Sequence, residues 1–333
     1  MTELILLFIG TVIGAGFATG AELVTFFGTS SSPLLVATLY ALISITIIII
    51  LVKSSPNSST PTQNSQAQTP APSKAISAIF RVLYLVFFLV MTAGLKYLVG
   101  WQTTALALLF CVAVTMFGFS KMALVNKYMM LFVLAILLTA TLPYSFQNLF
   151  SQNSLGASSP PNPSLAALLY ASLNCTMLPT FLPHALARYS PRRVILAGSI
   201  ATLTVALFIV LILTAINATA TTAEMPLLAL SPSLITKIAV ALAIVSSMLL
   251  ALSGATSSPK NKLALTTSTC LLAFACAFLG FRNLLGFIYP IVAALFLLYV
   301  SALCLRQLLR IHNPIYCLQI IKRKTRLPIN PRL

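Results

Sequence analysis

Acidic residues are almost missing from this chain of 333 residues. It has three Glu and no Asp, against 20 Lys and Arg. Metal sites built from carboxylates need several acids, and paired acid–base sites need two acids close together. Glu3, Glu22 and Glu224 lie far apart in the sequence. We therefore expect that the chain is not an enzyme and needs no cofactor.

Histidine and paired cysteine motifs are also scarce. The two His residues, His184 and His312, are too distant in sequence to indicate a metal pair. The six Cys show no C-x-x-C spacing, and most of them lie inside apolar runs. They are typical of small buried apolar residues, and they predict neither a zinc site nor a disulfide framework.

Charge of either sign is rare overall. Charged residues make up 7% of the chain, apolar residues make up 59%, and the mean hydropathy is +1.01. A soluble surface needs far more charge. The net charge of +17 would fit nucleic-acid binding, but the basic residues stand singly or in short groups between long apolar runs. This pattern predicts a polytopic membrane protein in a lipid bilayer, with no nucleic-acid partner.

Ten apolar runs approach the 20 or so residues that one membrane-spanning helix needs. The sequence thus predicts an all-α membrane protein with about ten transmembrane helices, at 4–27, 34–52, 76–98, 101–119, 125–142, 164–186, 193–216, 235–256, 263–281 and 284–309. The chain divides into a first five-helix repeat (1–142), an extracytoplasmic loop (143–163), a second five-helix repeat (164–310) and a basic cytoplasmic tail (311–333). Residues 53–75, which are rich in Ser, Pro, Thr and Gln, predict a flexible cytoplasmic linker.

The basic residues predict the orientation of these helices. Cytoplasmic ends of membrane helices are rich in Lys and Arg. With the N-terminus inside, only Lys96, Lys237 and Arg282 face outside, and the other 17 basic residues face the cytoplasm. We expect both termini to be cytoplasmic.

The first apolar run contains signals for a break in its helix. Four glycines fall within residues 10–20, and Thr19-Gly-Ala-Glu22 matches the S/T-x-x-E capping box that starts helices. The glycines also form G-x-x-x-G pairs, which allow close helix packing instead. Glu22 is the only acid well inside a run. It is a functional candidate, a cap on the Thr19 amide, or both.

The sixth apolar run is interrupted too. Pro179 removes the backbone hydrogen bond to Cys175, and Asn174 places a polar amide nearby. Asn174 could also bridge to a neighbouring helix, and we interpret His184 as an interfacial residue. Five is an odd number of spans, so the second half is inverted. Broken helices at matching positions of inverted halves are typical of the binding site of a secondary transporter.

Three stretches resemble a known family. Ile13-Gly-Ala-Gly-Phe-Ala-Thr-Gly-Ala-Glu-Leu, Tyr170-Ala-Ser-Leu-Asn and Ala223-Glu-Met-Pro-Leu-Leu are similar to the YkvI-like amino acid permeases, bacterial members of the amino acid–polyamine–organocation superfamily. The resemblance implies the five-plus-five LeuT-type fold, a location in the bacterial inner membrane, and a substrate site between the broken first and sixth helices. The long 53–75 linker and the scarcity of acids depart from the family pattern, and the second departure leaves the coupling ion open.

The resemblance also implies an ion site. Ser246 and Ser247 match the adjacent hydroxyl pair that closes a sodium site in sodium-coupled relatives. Without the resemblance, these serines would be interpreted as small residues in helix packing. Glu22 is our further candidate for ion coupling, as the partner of a proton or a cation.

We expect a secondary transporter of amino acids or related small amines that works by alternating access, coupled to Na⁺ or H⁺. The substrate carboxylate would bind to backbone amides in the stretch Gly14, Ala15, Gly16, Phe17, Ala18, Thr19 and Gly20. Gly16 and Phe17 would also shape the pocket. Tyr170 and Asn174 would hydrogen-bond its polar groups. The alternatives are an uncoupled channel or pore, for which we find no filter motif, and a structural or regulatory membrane protein.

Overall fold

The computed structural model describes residues 1–28, 32–55, 74–148, 162–219, 223, 225–256 and 262–312. Most of the predicted linker, loop and tail therefore lies outside the described residues, as does Glu224. In the described ranges all regular structure is helical. The helices are α1 (Thr2–Val12), α2 (Ala15–Thr19), α3 (Ala21–Phe27), α4 (Pro33–Ser54), α5 (Lys74–Met116), α6 (Phe119–Asn148), α7 (Pro163–Cys175), α8 (Leu178–Arg188), α9 (Pro191–Thr219), α10 (Pro226–Leu230), α11 (Leu234–Ala255), α12 (Lys262–Cys276) and α13 (Phe281–His312).

Many of these helices are long and apolar enough to cross a bilayer. Seven pass this test in the described part of the chain, and an eighth span results if α7 and α8, which are bent by 58°, are counted as one. The all-helical, polytopic membrane class predicted from the sequence is in agreement with this result. The division into two inverted five-helix repeats stays a prediction.

Helix α5 is two helices joined at a single residue. Its 43 residues would form a rod of about 64 Å if straight, roughly twice the hydrocarbon thickness of a membrane. Gly100 interrupts it with a φ of 81°, which favours glycine. Lys262 donates a hydrogen bond to the carbonyl of Thr115 (2.8 Å), near the end of α5, and it lines one cavity together with Ile76 and Ser77, near the start of α5. The two ends of α5 therefore lie close to each other. The halves therefore fold back at Gly100.

The first span is broken twice. Helix α1 ends at Val12, Gly14 is extended, and Gly20 (φ 78°) separates α2 from α3. The predicted interruption is present, but the predicted capping box does not form. The N-cap of α3 is Gly20, without a side-chain hydrogen bond. The Thr19 hydroxyl instead donates to the Ala15 carbonyl (2.7 Å), within its own short helix.

The sixth span breaks between α7 and α8. Thr176 and Met177 separate the two helices, and Pro179 lies in the first turn of α8. Proline is tolerated there because the first amides of a helix have no partner within it. The break therefore falls just before Pro179, as its missing hydrogen bond to Cys175 predicts.

Burial distinguishes the inner helices from the outer ones. In the most apolar window of each span, 78% of α11 is buried, against 28% of α12 and of α13. The outer helices expose large apolar side chains such as Leu271, Phe287 and Leu298. Exposed apolar faces on long helices fit contact with lipid. Helix α11 therefore lies at the centre, beside the broken first span.

Candidate functional site

The break in the first span frees two backbone carbonyls. In a continuous helix the Gly14 amide would donate to Gly10, but here it donates to the Val12 carbonyl (2.9 Å). The carbonyls of Gly10 and Ile13 are instead contacted by the Ser247 hydroxyl of α11, at 3.2 Å each. One predicted ion-coupling residue therefore lies on the unwound backbone.

The second predicted serine lies beside a residue that the sequence reasoning missed. Ser246 donates a hydrogen bond to the amide oxygen of Asn126 in α6, and the Asn126 amide nitrogen donates to the Leu6 carbonyl (3.3 Å). A Cβ on Gly10 would lie 2.7 Å from Asn126 Oδ1, so this packing requires glycine. A lone Asn within the apolar run 125–142 was the available signal, since polar groups in spans often bridge helices.

The oxygens gathered here suit a small hard cation. Carbonyl, hydroxyl and amide oxygens are the ligands that such cations prefer, and Gly10, Ile13, Ser246, Ser247 and Asn126 supply them. Among the described residues, no group of three or more His, Cys, Asp or Glu side chains could hold a metal ion. Any cation at this position would therefore be held by neutral oxygens.

Glu22 lies on the other side of the same break. Its side chain is 3% exposed and packs directly on Gly16, where an added Cβ would lie 2.0 Å from Glu22 Cγ and 2.2 Å from Oε1. The Gly16 backbone and the hydroxyls of Tyr170 and Tyr289 are polar neighbours of the carboxyl group. Among the described residues, Oε2 and both hydroxyls nevertheless have no hydrogen-bond partner at ordinary geometry.

Aromatic rings enclose this carboxyl group. The ring of Tyr170, which is fully buried, lies 5.4 Å from Phe26, 5.3 Å from Phe27 and 5.6 Å from Tyr40. These separations are typical of aromatic pairs that stabilise a core. Tyr40 and Tyr289 come from α4 and α13. In the sequence each is a Tyr inside an apolar run, and no other feature indicated that it belongs to the site. Only Tyr170 of this group was a sequence candidate.

A small polar space lies where the two broken spans meet. It measures about 10 Å³, which is room for about one water molecule. Its polar lining comes from Thr11 and Glu22 of the first span, Asn174 of the sixth and Ser247 of α11. The amide nitrogen of Asn174 has no partner among the described residues. The structure thus brings together Glu22, Asn174 and Ser247.

The glycine-rich stretch itself is packed away from this space. Residues 14–20 are all buried, and none of them lines it. The Ala15 amide donates to the sulfur of Met91 (3.2 Å), and a Cβ on Gly14 would lie 2.8 Å from Met91 Cε. The side chain of Met91 therefore covers the amides that we expected to receive a substrate carboxylate. Phe17 is fully buried in the apolar core.

A much larger cavity of about 550 Å³ opens next to the central space. Its basic side chains are Arg81, His184 and Lys262, and the imidazole of His184 stacks on Phe119 at 4.4 Å. We call this cavity the vestibule. In the predicted orientation it faces the cytoplasm.

Tyr84 lies between the vestibule and the central space. It lines the vestibule, and Phe87, one turn later on α5, lines the central space. Its ring packs on Gly254 of α11, where an added Cβ would lie 2.5 Å from the ring. The Tyr84 hydroxyl is buried without a hydrogen-bond partner among the described residues. Tyr84 and Gly254 therefore form a packed layer in the wall of the vestibule, one helical turn from the lining of the central space.

Comparison with known proteins finds similarity at the level of structure. No family model matches the chain, and no curated protein matches it at a significant level. Among solved structures, the Eremococcus coleocola manganese transporter, in complex with an aromatic bis-isothiourea substituted compound, is similar with a TM-score of 0.42 and 13% identity, covering 90% of this chain and 69% of that one. A TM-score below 0.5 does not establish a shared fold.

Proposed function

We propose that the chain is a secondary active transporter of amino acids or related small amines, coupled to Na⁺ or H⁺ and working by alternating access. One observation carries the proposal. The helix ends beside the breaks in the first and sixth spans line one buried space with polar groups, and a wide vestibule opens one helical turn away along α5. Irregular backbone at membrane depth is tolerated only where it is buried in protein or lines a cavity.

The closed layer favours a carrier over a pore. The central space holds about one water molecule, and Tyr84 packs against Gly254 between it and the vestibule. A pore needs a continuous path, whereas a carrier closes its site on one side before it opens on the other. The arrangement fits a carrier whose site is closed while its vestibule is open toward the cytoplasm.

The coupling ion has two candidate positions. The oxygens of Gly10, Ile13 and Ser247 would hold Na⁺, and the carboxyl group of Glu22 would hold a proton. One positive charge that moves with the substrate contributes about 2.3 kcal/mol per 100 mV of membrane potential, or roughly 50-fold accumulation. Such transport needs no covalent chemistry, in keeping with our expectation that the chain is not an enzyme. Its proposed location is the bacterial inner membrane, with both termini cytoplasmic.

Uptake into proteoliposomes tests this proposal. The purified full chain is reconstituted, and the uptake of labelled amino acids and small amines is measured with an inward Na⁺ gradient, with an inward H⁺ gradient, with an outward H⁺ gradient, and with none. We expect at least one substrate to accumulate above its external concentration under one gradient. Liposomes without protein are the control. If no candidate accumulates under any of these gradients, the chain is not a coupled transporter of this class.

A further inference from the structure

We propose that the carboxyl group of Glu22 binds either a proton or the ammonium group of the substrate, so that the transporter exchanges one for the other. The substrate would then be a primary amine with a net positive charge. This inference rests on the proposed transport function and narrows its substrate class. Its geometric basis is a buried carboxyl group whose Oε2 has no partner and which lines a space for one small polar group.

Among the described residues, no side chain that packs around Glu22 can balance its charge. Helices α7, α13 and α4 contribute the phenols of Tyr170, Tyr289 and Tyr40. Helix α9 faces the break at Gly20 with the aliphatic side chain of Ile216. None of the described residues that line the central space is basic. A carboxylate at this depth is unfavourable without a counter-charge, so the site requires a proton or a cation.

The surroundings select an ammonium group as that cation. The central space has the size of about one water molecule, which is also the size of an –NH₃⁺ group. Its polar rim contains three side chains whose oxygens can accept a hydrogen bond from an ammonium group, namely the Glu22 carboxyl group and the Thr11 and Ser247 hydroxyls, together with the amide of Asn174.

The rest of the lining indicates what the substrate carries besides its ammonium group. Phe87, Leu173, Leu250, Met91 and Met177 complete the wall. Methionine side chains are flexible and adapt to apolar groups of different shape. A substrate carboxylate would meet these apolar groups and the charge of Glu22, with no basic partner. The central space therefore takes only the ammonium group, its apolar neighbours favour an amine whose adjoining part is apolar, and the site disfavours an anion.

Exchange follows from charge balance. Before binding, the carboxyl group carries its proton. When the amine R–NH₃⁺ binds, the O–H bond of the acid breaks and the proton leaves to water, while the ammonium group pairs with the carboxylate. The site is neutral in both states. One proton therefore moves against one monovalent cation, and a pH gradient drives transport, whereas the membrane potential does not.

Isothermal titration of the purified full chain tests the exchange. Three ligands with the same phenyl body are compared, namely phenethylamine, phenylalanine and 3-phenylpropionate, together with a series of simple primary alkylamines. In buffers of different ionisation enthalpy, the heats give the number of protons released. We expect the amine to bind more tightly than the other two ligands and to release about one proton, and its affinity to fall about tenfold for each unit of pH below the titration of the carboxyl group.

Two variants test the assignment to Glu22. We expect Glu22→Gln to weaken amine binding by about 100-fold, because a buried charge loses its partner, and to abolish proton release. Glu3→Gln is the matched control, since Glu3 lies at the partly exposed start of α1, and it should bind the amine as the parent chain does. Tyr289→Phe keeps the ring and removes the hydroxyl, and we expect it to weaken binding by a smaller factor without abolishing proton release.

The outcomes separate this inference from the proposed function. Amine binding without proton release at any pH, unchanged amine binding in folded Glu22→Gln, or binding of no amine in the series would each overturn the exchange. If phenylalanine binds more tightly than phenethylamine and accumulates in proteoliposomes under a Na⁺ or H⁺ gradient, the exchange is wrong and the proposed transporter stands. If nothing accumulates under any gradient, the transport proposal itself fails.

Discussion

The contact between Gly16 and Glu22 predicts that Gly16→Ala disrupts the site. An alanine Cβ would lie 2.0 Å from Glu22 Cγ, 2.2 Å from Oε1 and 2.3 Å from Cδ. All three atoms belong to a side chain confined between the short α2 and the rings of Tyr170 and Tyr289. The carboxyl group must therefore move, and it loses its contacts with the hydroxyls of Tyr170 and Tyr289.

The size of the effect follows from two opposing terms. Overpacking a buried site costs about 1–3 kcal/mol, whereas replacing glycine by alanine in a helix gains up to about 1 kcal/mol. We expect the free energy of unfolding to fall by about 1–2 kcal/mol, which lowers the melting temperature by a few degrees. In the double variant Gly16→Ala/Glu22→Ala the clash is absent. The double-mutant cycle should then give a coupling energy of about 1 kcal/mol or more.

Thermal unfolding in detergent and uptake into proteoliposomes measure the two consequences. Gly286→Ala is the matched control, because Gly286 is exposed on α13 and an added Cβ would meet nothing within 4 Å. We expect Gly16→Ala to lose stability and transport, and Gly286→Ala to keep both. Equal stability and equal transport in the two variants would refute the close contact of Glu22 with Gly16 in α2.

Three other predictions test the parts around this contact. Ser247→Ala leaves two freed carbonyls of the first span unpaired, so we expect a loss of about 1–3 kcal/mol in thermal unfolding and weaker Na⁺ dependence of uptake if the coupling ion is Na⁺. Gly254→Ala pushes into the ring of Tyr84, so uptake should fall, and the added change Tyr84→Leu should restore it in part. With the native cysteines replaced, Ser77→Cys should react with an impermeant thiol reagent from the cytoplasmic side of the membrane, and Gln102→Cys from the outer side.

Each of these predictions has a result that would contradict it. Ser268→Ala is the control for Ser247→Ala, since Ser268 is exposed on α12 and forms its hydrogen bond within its own helix. An equal loss of stability in both variants would contradict the proposed role of Ser247. Full uptake by Gly254→Ala would show that the layer toward the vestibule is not tight. Labelling of positions 77 and 102 from the same side would exclude the fold-back of α5.

The sequence predicted the breaks because backbone chemistry is local. The glycines at 10–20 and Pro179 act on their own helices, so they indicated interruptions in the first and sixth spans without any knowledge of the fold. The form of the first break was predicted less well. Thr19 and Glu22 match a capping box, but Glu22 turns to Gly16 and the buried phenols, because packing between helices overrides a short local motif.

Partners from distant helices could not be predicted in this way. Asn126, Tyr40 and Tyr289 enter the site from α6, α4 and α13, and each stands alone in an apolar run. In a helix that is apolar all round, periodicity does not indicate which face turns inward. Met91 shows the same limit, because nothing in its sequence neighbourhood indicates that its sulfur accepts a hydrogen bond from Ala15.

The fold-back at Gly100 has a consequence for how the chain enters the bilayer. No hydrophilic loop separates the two apolar halves of α5, so no polar segment has to be translocated between them. We expect the two halves to enter the bilayer together as a helical hairpin. With φ at 81° and ψ at 172°, the conformation of Gly100 is essentially reserved for glycine. We therefore expect a side chain at position 100 to impair the insertion of the chain before it impairs transport.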